Sequence, residues 1–136
     1  EACRIAREAI PGEAMRIGRL RDRLQAGLLE RTGGIIVNGG GVRRIPNTIS
    51  LAVPRIEGEA ITLNLAVLGF AVSSVSACAS GSEETSHVLL AMGLEPDVAQ
   101  GAVRISLGAQ NTDDEVDAFL EAFPAVVSRL RELSPL

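Results

Sequence analysis

The feature that most constrains the fold is an alternation of apolar with small or polar residues in two segments, 48–53 and 102–107. Side chains alternate between the two faces of a β-strand, so each segment predicts a strand with one buried and one open face. Strands of a buried parallel sheet would instead be almost continuously apolar. The alternation therefore favours a largely antiparallel sheet with helices on one face. The apolar face would carry Ile49, Leu51, Val53, Val103, Ile105 and Leu107.

Helical patterns precede and follow these two strands. Residues 1–30 repeat apolar residues at helical spacing, although Pro11-Gly12 predicts a kink or break, with the better helix from about Glu13. A second helix is predicted over 57–68, with Gly69 as its C-terminal glycine. These helices would supply the apolar layer that covers the sheet.

The second half of the chain carries further helix signals. Residues 86–92 predict a short helix closed by Gly93, and Glu95-Pro96 opens one more turn. Thr112 and Glu115 have the spacing of a capping box, which begins a long helix that Pro124 should bend.

Short strands are also predicted at 35–38 and 70–72, which gives the order α, β, β, α, β, α, β, α. This order predicts one α+β domain over residues 1–136, in two layers. Its sheet would be small and mostly antiparallel, with helices covering one face.

Composition excludes several classes of function. The 136-residue chain has a net charge of −4, three Phe, and neither Trp nor Tyr. It therefore lacks both a basic footprint and an aromatic stacking surface, so we expect no nucleic-acid partner. The longest mostly apolar run, 60–72, is too short and too mixed to span a bilayer, so no membrane role is expected. All 13 basic residues are Arg, so the chain has no lysine amine for a Schiff base.

The two cysteines, Cys3 and Cys78, lie far apart, and the chain has a single histidine. This pattern is neither a disulfide framework nor a metal site, and it suits the reducing cytoplasm. The chain also lacks an initiator Met, and its first ten residues already read as helix. We therefore expect it to be a piece of a longer polypeptide.

Cys78 is the first candidate for chemistry, because it lies among small residues in the run SSVSACASGS at 73–82. A thiolate reacts only where it is accessible, and small flexible neighbours give access. From the local sequence, a reactive thiol and an incidental cysteine in a serine-rich connection are equally good interpretations. Cys3 and His87 are better explained as helix residues without a chemical role.

Arg104 is the second candidate, because it is the only charge in its strand and lies on the face opposite Val103 and Ile105. A guanidinium in that place could hold a carboxylate through two parallel hydrogen bonds. A solvent-exposed strand arginine without a ligand is the alternative, and the residues alone favour it slightly.

Together these segments resemble one family, the cysteine desulfurases of the NifS/IscS type, which are pyridoxal-phosphate enzymes of the class V aminotransferase fold. The resemblance covers essentially the whole chain, and its most specific part is the cysteine run followed at once by SHVLLAMGL at 86–94. The other matching stretches are RDRLQAGLL (21–29), PNT (46–48), EGEA (57–60), VRISLG (103–108) and RLRELSPL (129–136).

The resemblance implies that the chain is the smaller C-terminal domain of a fold type I enzyme. It places Cys78 on the catalytic cysteine, which takes sulfur from L-cysteine as a persulfide and leaves L-alanine. It places Arg104 on the arginine that binds the substrate carboxylate. The cofactor, pyridoxal phosphate, would be held by the missing large domain, so these 136 residues alone should be inactive. The intact enzyme would be a homodimer that passes sulfur to an acceptor or scaffold protein for iron–sulfur cluster or thio-cofactor assembly.

The implied active-site loop comprises Ser73, Ser74, Val75, Ser76, Ala77, Ala79, Ser80 and Gly81, around Cys78. The family usually has Gly at the place of Val75, and a β-branched residue there stiffens the backbone next to the nucleophile. Two alternatives stay open. The chain could be a sulfur carrier or interaction module without enzymatic activity, or it could belong to another class V enzyme such as a selenocysteine lyase or an aminotransferase.

Overall fold

The computed structural model describes residues 1–74 and 85–134, and in that part of the chain three strands form one antiparallel sheet in the order β1-β2-β3. The strands are β1 (Ile36–Val37), β2 (Thr48–Ala52) and β3 (Ala102–Ser106). Ile36 pairs with Ala52, and Ser50 pairs with Arg104. The predicted alternation is confirmed in the middle of the strands, because Ile49, Leu51, Val103 and Ile105 are buried while Arg104 and Ser106 are exposed. It ends at the pair Ala52 and Ala102, which are buried although their predicted face was the open one.

Helices cover the apolar face of this sheet. The helices are α1 (Ala2–Arg31), α2 (Gly58–Val67), α3 (His87–Ala91), α4 (Pro96–Gln100) and α5 (Asp113–Leu133), of which α1, α2 and α5 lie on that face. Helices α1, α2 and α5 enclose the main core, in which the ring of Phe123 is fully buried. A smaller cluster of Leu89, Ala99 and Ala102 joins α3 and α4 to the start of β3. The predicted two-layer α+β arrangement with a small antiparallel sheet is confirmed.

The alternative of a break at Pro11-Gly12 is wrong, because α1 continues through Pro11 from Ala2 to Arg31, and the alternative of a kink there stays a prediction. Proline removes one backbone hydrogen bond from a helix. Residues 1–12 are exposed along this first part of α1, so water can hydrate the carbonyl group left without a partner. The helix therefore tolerates the proline.

The strand predicted to begin at 70–72 and to run into the cysteine loop is wrong in its start, since the chain at 70–72 completes the end of α2. Its predicted continuation beyond Ser74 lies outside the described residues. The backbone N–H of Gly69 donates to the carbonyl of Ala66 and that of Phe70 to the carbonyl of Leu65, each at 3.0 Å. With Gly69 at φ +89°, this is a Schellman cap. Pairing with the sheet begins only at Ser73, through an isolated bridge to Arg104.

The other helix boundaries follow their predicted signals. Gly93, at φ +88°, ends α3 in the same way, and Pro96 opens α4. Both halves of the capping box are present, because Thr112 Oγ1 accepts from the backbone N–H of Glu115 and the Glu115 carboxylate accepts from the N–H of Thr112. Helix α5 runs through Pro124 to Leu133, and the bend predicted at Pro124 stays a prediction.

Candidate functional site

Arg104 lies in the middle of β3, with its side chain on the face that α1, α2 and α5 leave open. Its backbone is held on both sides, by Ser50 of β2 and by the bridge to Ser73. Among residues 1–74 and 85–134, its guanidinium takes part in no ion pair or side-chain hydrogen bond. A planar group with five N–H donors on a fixed strand is suited to a ligand that carries a carboxylate.

Ser73 joins the sheet beside Arg104. The backbone N–H of Arg104 donates to the carbonyl of Ser73 at 2.6 Å, and the N–H of Ser73 donates back to the carbonyl of Arg104 at 3.1 Å. Ser73 and Ser74 are half-buried. This pair of hydrogen bonds fixes the start of the predicted active-site loop next to the predicted carboxylate-binding arginine.

The remaining predicted loop residues lie outside the described part of the chain. They are Val75, Ser76, Ala77, Cys78, Ala79, Ser80 and Gly81. The covalent chain still limits the distance from Arg104 to the thiol. Cys78 follows Ser73 by five residues, and a fully extended chain covers at most about 3.6 Å per residue, so the Cα atoms of Ser73 and Cys78 are at most about 18 Å apart.

Two polar residues that the sequence did not single out lie in the same row across the sheet as Arg104. Ser50 is its direct partner on β2, and Asn38 follows β1 and donates its backbone N–H to the carbonyl of Ser50 at 2.8 Å. Asn38 Nδ2 also donates to Ser50 Oγ at 3.1 Å, so both side chains lie on the same face. The alternation in 48–53 already placed Ser50 on the polar face, but only the pairing of β1 with β2 adds Asn38.

The other candidates lie apart from this row. Cys3 is exposed in the first turn of α1, and His87 is exposed at the start of α3, which agrees with their interpretation as helix residues. Within the described residues, no three His, Cys, Asp or Glu side chains are grouped closely enough to hold a metal ion. None of the helices in these ranges has the length and apolar character needed to cross a bilayer.

The amino-acid sequence of the chain matches a known protein family. Residues 12–119 match the model of the family described as aminotransferase class-V. The chain belongs to the class V aminotransferase family.

Named relatives within this class V family point to one group of enzymes. The chain is 48% identical over 134 residues to a cysteine desulfurase of Gluconacetobacter diazotrophicus, and covers 98% of itself and 34% of that protein. It is 45% identical over 134 residues to a cysteine desulfurase of Klebsiella pneumoniae, again covering 98% of itself and 34% of the relative. It is 41% identical over 138 residues to the cysteine desulfurase IscS of Clostridium botulinum, where it covers all of itself and 35% of the relative.

Solved structures of class V relatives share the fold. A NifS-like protein superposes with a TM-score of 0.78 at 36% identity, over 93% of this chain and 31% of that one. A NifS-like protein from Rickettsia africae gives a TM-score of 0.77 at 27% identity, over 89% and 31%. The chain thus spans about a third of the length of the relatives that it matches.

Membership of the class V family implies pyridoxal phosphate as the cofactor. The chain contains no lysine, so it offers no side-chain amine for a Schiff base with that cofactor. These residues therefore do not suffice to attach the group. What the described part of the chain offers is a set of polar side chains on one open face of the sheet.

Proposed function

We propose that the chain is the small C-terminal domain, residues 1–136, of a cysteine desulfurase that converts L-cysteine into L-alanine and a persulfide. The observation that carries this proposal is the pairing of Arg104 with Ser73. It joins a guanidinium without a side-chain partner among the described residues to the start of the segment that holds Cys78. The names of the relatives at 41–48% identity support the same activity.

In this proposal Cys78 is the nucleophile and the sulfur carrier. Its thiolate attacks the sulfur of the bound cysteine, so a sulfur–sulfur bond forms on Cys78 while the carbon–sulfur bond of the substrate breaks. The electron pair of the broken bond remains on the carbon skeleton, which takes up a proton and leaves as L-alanine. Pyridoxal phosphate, held outside these 136 residues, supplies the electron sink that makes this bond breakable.

Arg104 anchors the substrate in this proposal. Two N–H groups of its guanidinium hold the carboxylate in a planar, bidentate pair, which sets the orientation as well as the affinity. Because strand β3 fixes the backbone of Arg104 on both sides, the substrate sulfur is presented in a constant direction. Cys78 would then approach the substrate sulfur, since only the segment 73–78 joins it to Ser73 beside Arg104.

We further propose that the intact enzyme is a homodimer in the cytoplasm, where a reducing environment keeps Cys78 free to accept and donate sulfur. The persulfide would pass to an acceptor or scaffold protein for iron–sulfur cluster or thio-cofactor assembly. Support for these points comes from the proposed chemistry and from the family.

Substitution of the two cysteines in the full-length enzyme tests the proposal. Cys78→Ser should abolish sulfide release and alanine formation from L-cysteine while L-alanine still binds as a competitive ligand. Cys3→Ser is the matched control, because Cys3 is exposed on α1, and it should leave both rates unchanged. Mass spectrometry should find one extra sulfur atom on the peptide that contains Cys78. Undiminished desulfuration by Cys78→Ser would remove Cys78 from its proposed role.

A further inference from the structure

Ser50 and Asn38 form, with Arg104, a polar row of hydrogen-bonding side chains on one face of the sheet. Neighbouring strands lie about 4.8 Å apart, and side chains of directly paired residues are close enough to share one small ligand. Ser50 is half-buried and directly opposite Arg104, on the same open face of the sheet. A carboxylate held by Arg104 therefore lies within reach of the Ser50 hydroxyl.

The hydrogen bond from Asn38 determines what the Ser50 hydroxyl is free to do. Asn38 Nδ2 donates to Ser50 Oγ at 3.1 Å, which uses a lone pair of that oxygen and leaves the hydroxyl hydrogen to be donated. Arg104 cannot receive this hydrogen, because a guanidinium has no acceptor. In the described part of the chain no other acceptor takes it either. An oxygen of the ligand carboxylate would accept it.

Asn38 is a costly residue if its only role is to stabilise the fold. Its side chain is 7% exposed, and its Oδ1 is buried without a donor from the described residues. A buried acceptor without a partner lowers stability, whereas an apolar residue of similar size would not. Among the described residues the amide makes one side-chain hydrogen bond, to Ser50 Oγ, and this contact suits it to orient the Ser50 hydroxyl.

We propose that Ser50 is a second contact for the substrate carboxylate, beside Arg104, and that Asn38 is the positioning residue that directs the Ser50 hydroxyl toward it. This inference rests on the proposed function, because the carboxylate is that of the amino-acid substrate. A carboxylate has about four acceptor positions, so a bidentate arginine leaves room for the serine hydroxyl. The polar row would then bind the carboxylate through the positive charge of Arg104 and three hydrogen-bond donors, namely two N–H groups of Arg104 and the hydroxyl of Ser50.

Binding of L-alanine to the full-length, cofactor-loaded enzyme tests this inference without turnover, by isothermal titration calorimetry. Ser50→Ala should weaken L-alanine binding about tenfold, the value of one hydrogen bond to a charged group. Ser50→Thr keeps the hydroxyl and should stay within about twofold of the wild type. Ser106→Ala is the matched control, because Ser106 is exposed on the same face of β3, and it should also stay within twofold.

A double-mutant cycle tests the role of Asn38. Asn38→Ala should weaken L-alanine binding less than Ser50→Ala does, and the double variant should bind no more weakly than Ser50→Ala alone, because Asn38 acts through Ser50. Additive losses would overturn the positioning role. For L-cysteine, Ser50→Ala should raise KM while kcat stays near that of the wild type. Its unfolding midpoint should fall, because the buried Nδ2 of Asn38 loses its acceptor.

The outcomes separate this inference from the proposed function. L-alanine affinity that is unchanged in Ser50→Ala, or reduced equally in Ser106→Ala, would overturn the role of Ser50 even in an active desulfurase. A wild-type enzyme that binds L-alanine through Ser50 but releases no sulfide from L-cysteine would overturn the proposed function. The same result would support the role of the polar row in binding a carboxylate.

Discussion

Gly101 offers the sharpest test of how the sheet is assembled. It is the residue between the end of α4 and the start of β3, and its carbonyl accepts the backbone N–H of Val53 at 2.9 Å. A Cβ atom placed on Gly101 would lie 2.1 Å from the carbonyl oxygen of Val53 and 2.8 Å from that of Ile56. Both obstacles are backbone atoms, so no side-chain rotation can remove the clash.

The cost of Gly101→Ala follows from this geometry. Restoring an ordinary van der Waals contact of 3.4 Å requires the two backbones to separate by about 1.3 Å, and overpacking of this kind costs about 1–3 kcal/mol. The separation also weakens the hydrogen bond from Val53, worth about 1 kcal/mol. The substitution also lowers the conformational entropy of the unfolded state, which raises the free energy of unfolding by about 0.4–1 kcal/mol. We therefore expect a net loss of about 2–3 kcal/mol in the free energy of unfolding.

Urea unfolding followed by far-UV circular dichroism measures this loss, since the chain has neither Trp nor Tyr for fluorescence. For an m-value of about 1.5 kcal/mol/M, the midpoint of Gly101→Ala should fall by about 1–2 M. Gly12→Ala is the matched control, because a Cβ there meets no atom within 4 Å in the exposed part of α1. Its midpoint should stay the same or rise slightly. Equal midpoints for Gly101→Ala and the wild type would refute the steric argument.

Three further predictions concern the site and helix α5. Arg104→Lys keeps the charge but loses the planar fork, so KM for L-cysteine should rise about tenfold or more while stability stays unchanged; an unchanged KM would argue against bidentate binding. Thr112→Ala removes the side-chain cap of α5 and should lower the free energy of unfolding by about 1 kcal/mol in urea titrations, and no loss would contradict a role for the capping box. The pKa of Glu115 is lowered from its ordinary value of 4.5, mainly by the backbone N–H of Thr112 and also by the side chain of Asn111. The Glu115 carboxylate therefore stabilises the folded state above pH 4.5, and this contribution is lost as the pH falls through the lowered pKa. Wild type should exceed Glu115→Gln in stability at pH 7, with the difference shrinking toward pH 3, and a difference independent of pH would contradict the assignment.

The sequence predicted most of the fold because its signals are local. Alternation identified β2 and β3 together with their buried faces, and the glycines at 69 and 93 marked helix ends that the structure confirms. The chain does not form the predicted strand at 70–72, because the backbone and the ring of Phe70 both interact with other elements. Its N–H closes the cap of α2, and its ring meets the ring of Phe119 edge-on at 5.2 Å.

The candidate site was predictable only in part. Arg104 stood out as the single charge in an apolar strand, and Ser50 followed from the same alternation. Asn38 could not be found in this way, because its place depends on the pairing of β1 with β2 across the ten residues between them. Pairing between strands is a tertiary property, and the periodicity of either strand alone does not determine it.

Stability and the proposed binding of a carboxylate both depend on the two-residue period of a single strand, β3. Val103 and Ile105 face the core, while Arg104 between them faces the open side of the sheet. A slip of β3 by one residue would bury the guanidinium and expose both apolar side chains, so the register of β3 must be strongly fixed. The close backbone contacts at Gly58 and Gly101, where a Cβ would lie within 2.2 Å of a carbonyl oxygen, fix the start of β3 against α2 and Val53. The two glycines thereby hold Arg104 in register with Ser50 and Ser73, although neither touches the polar face.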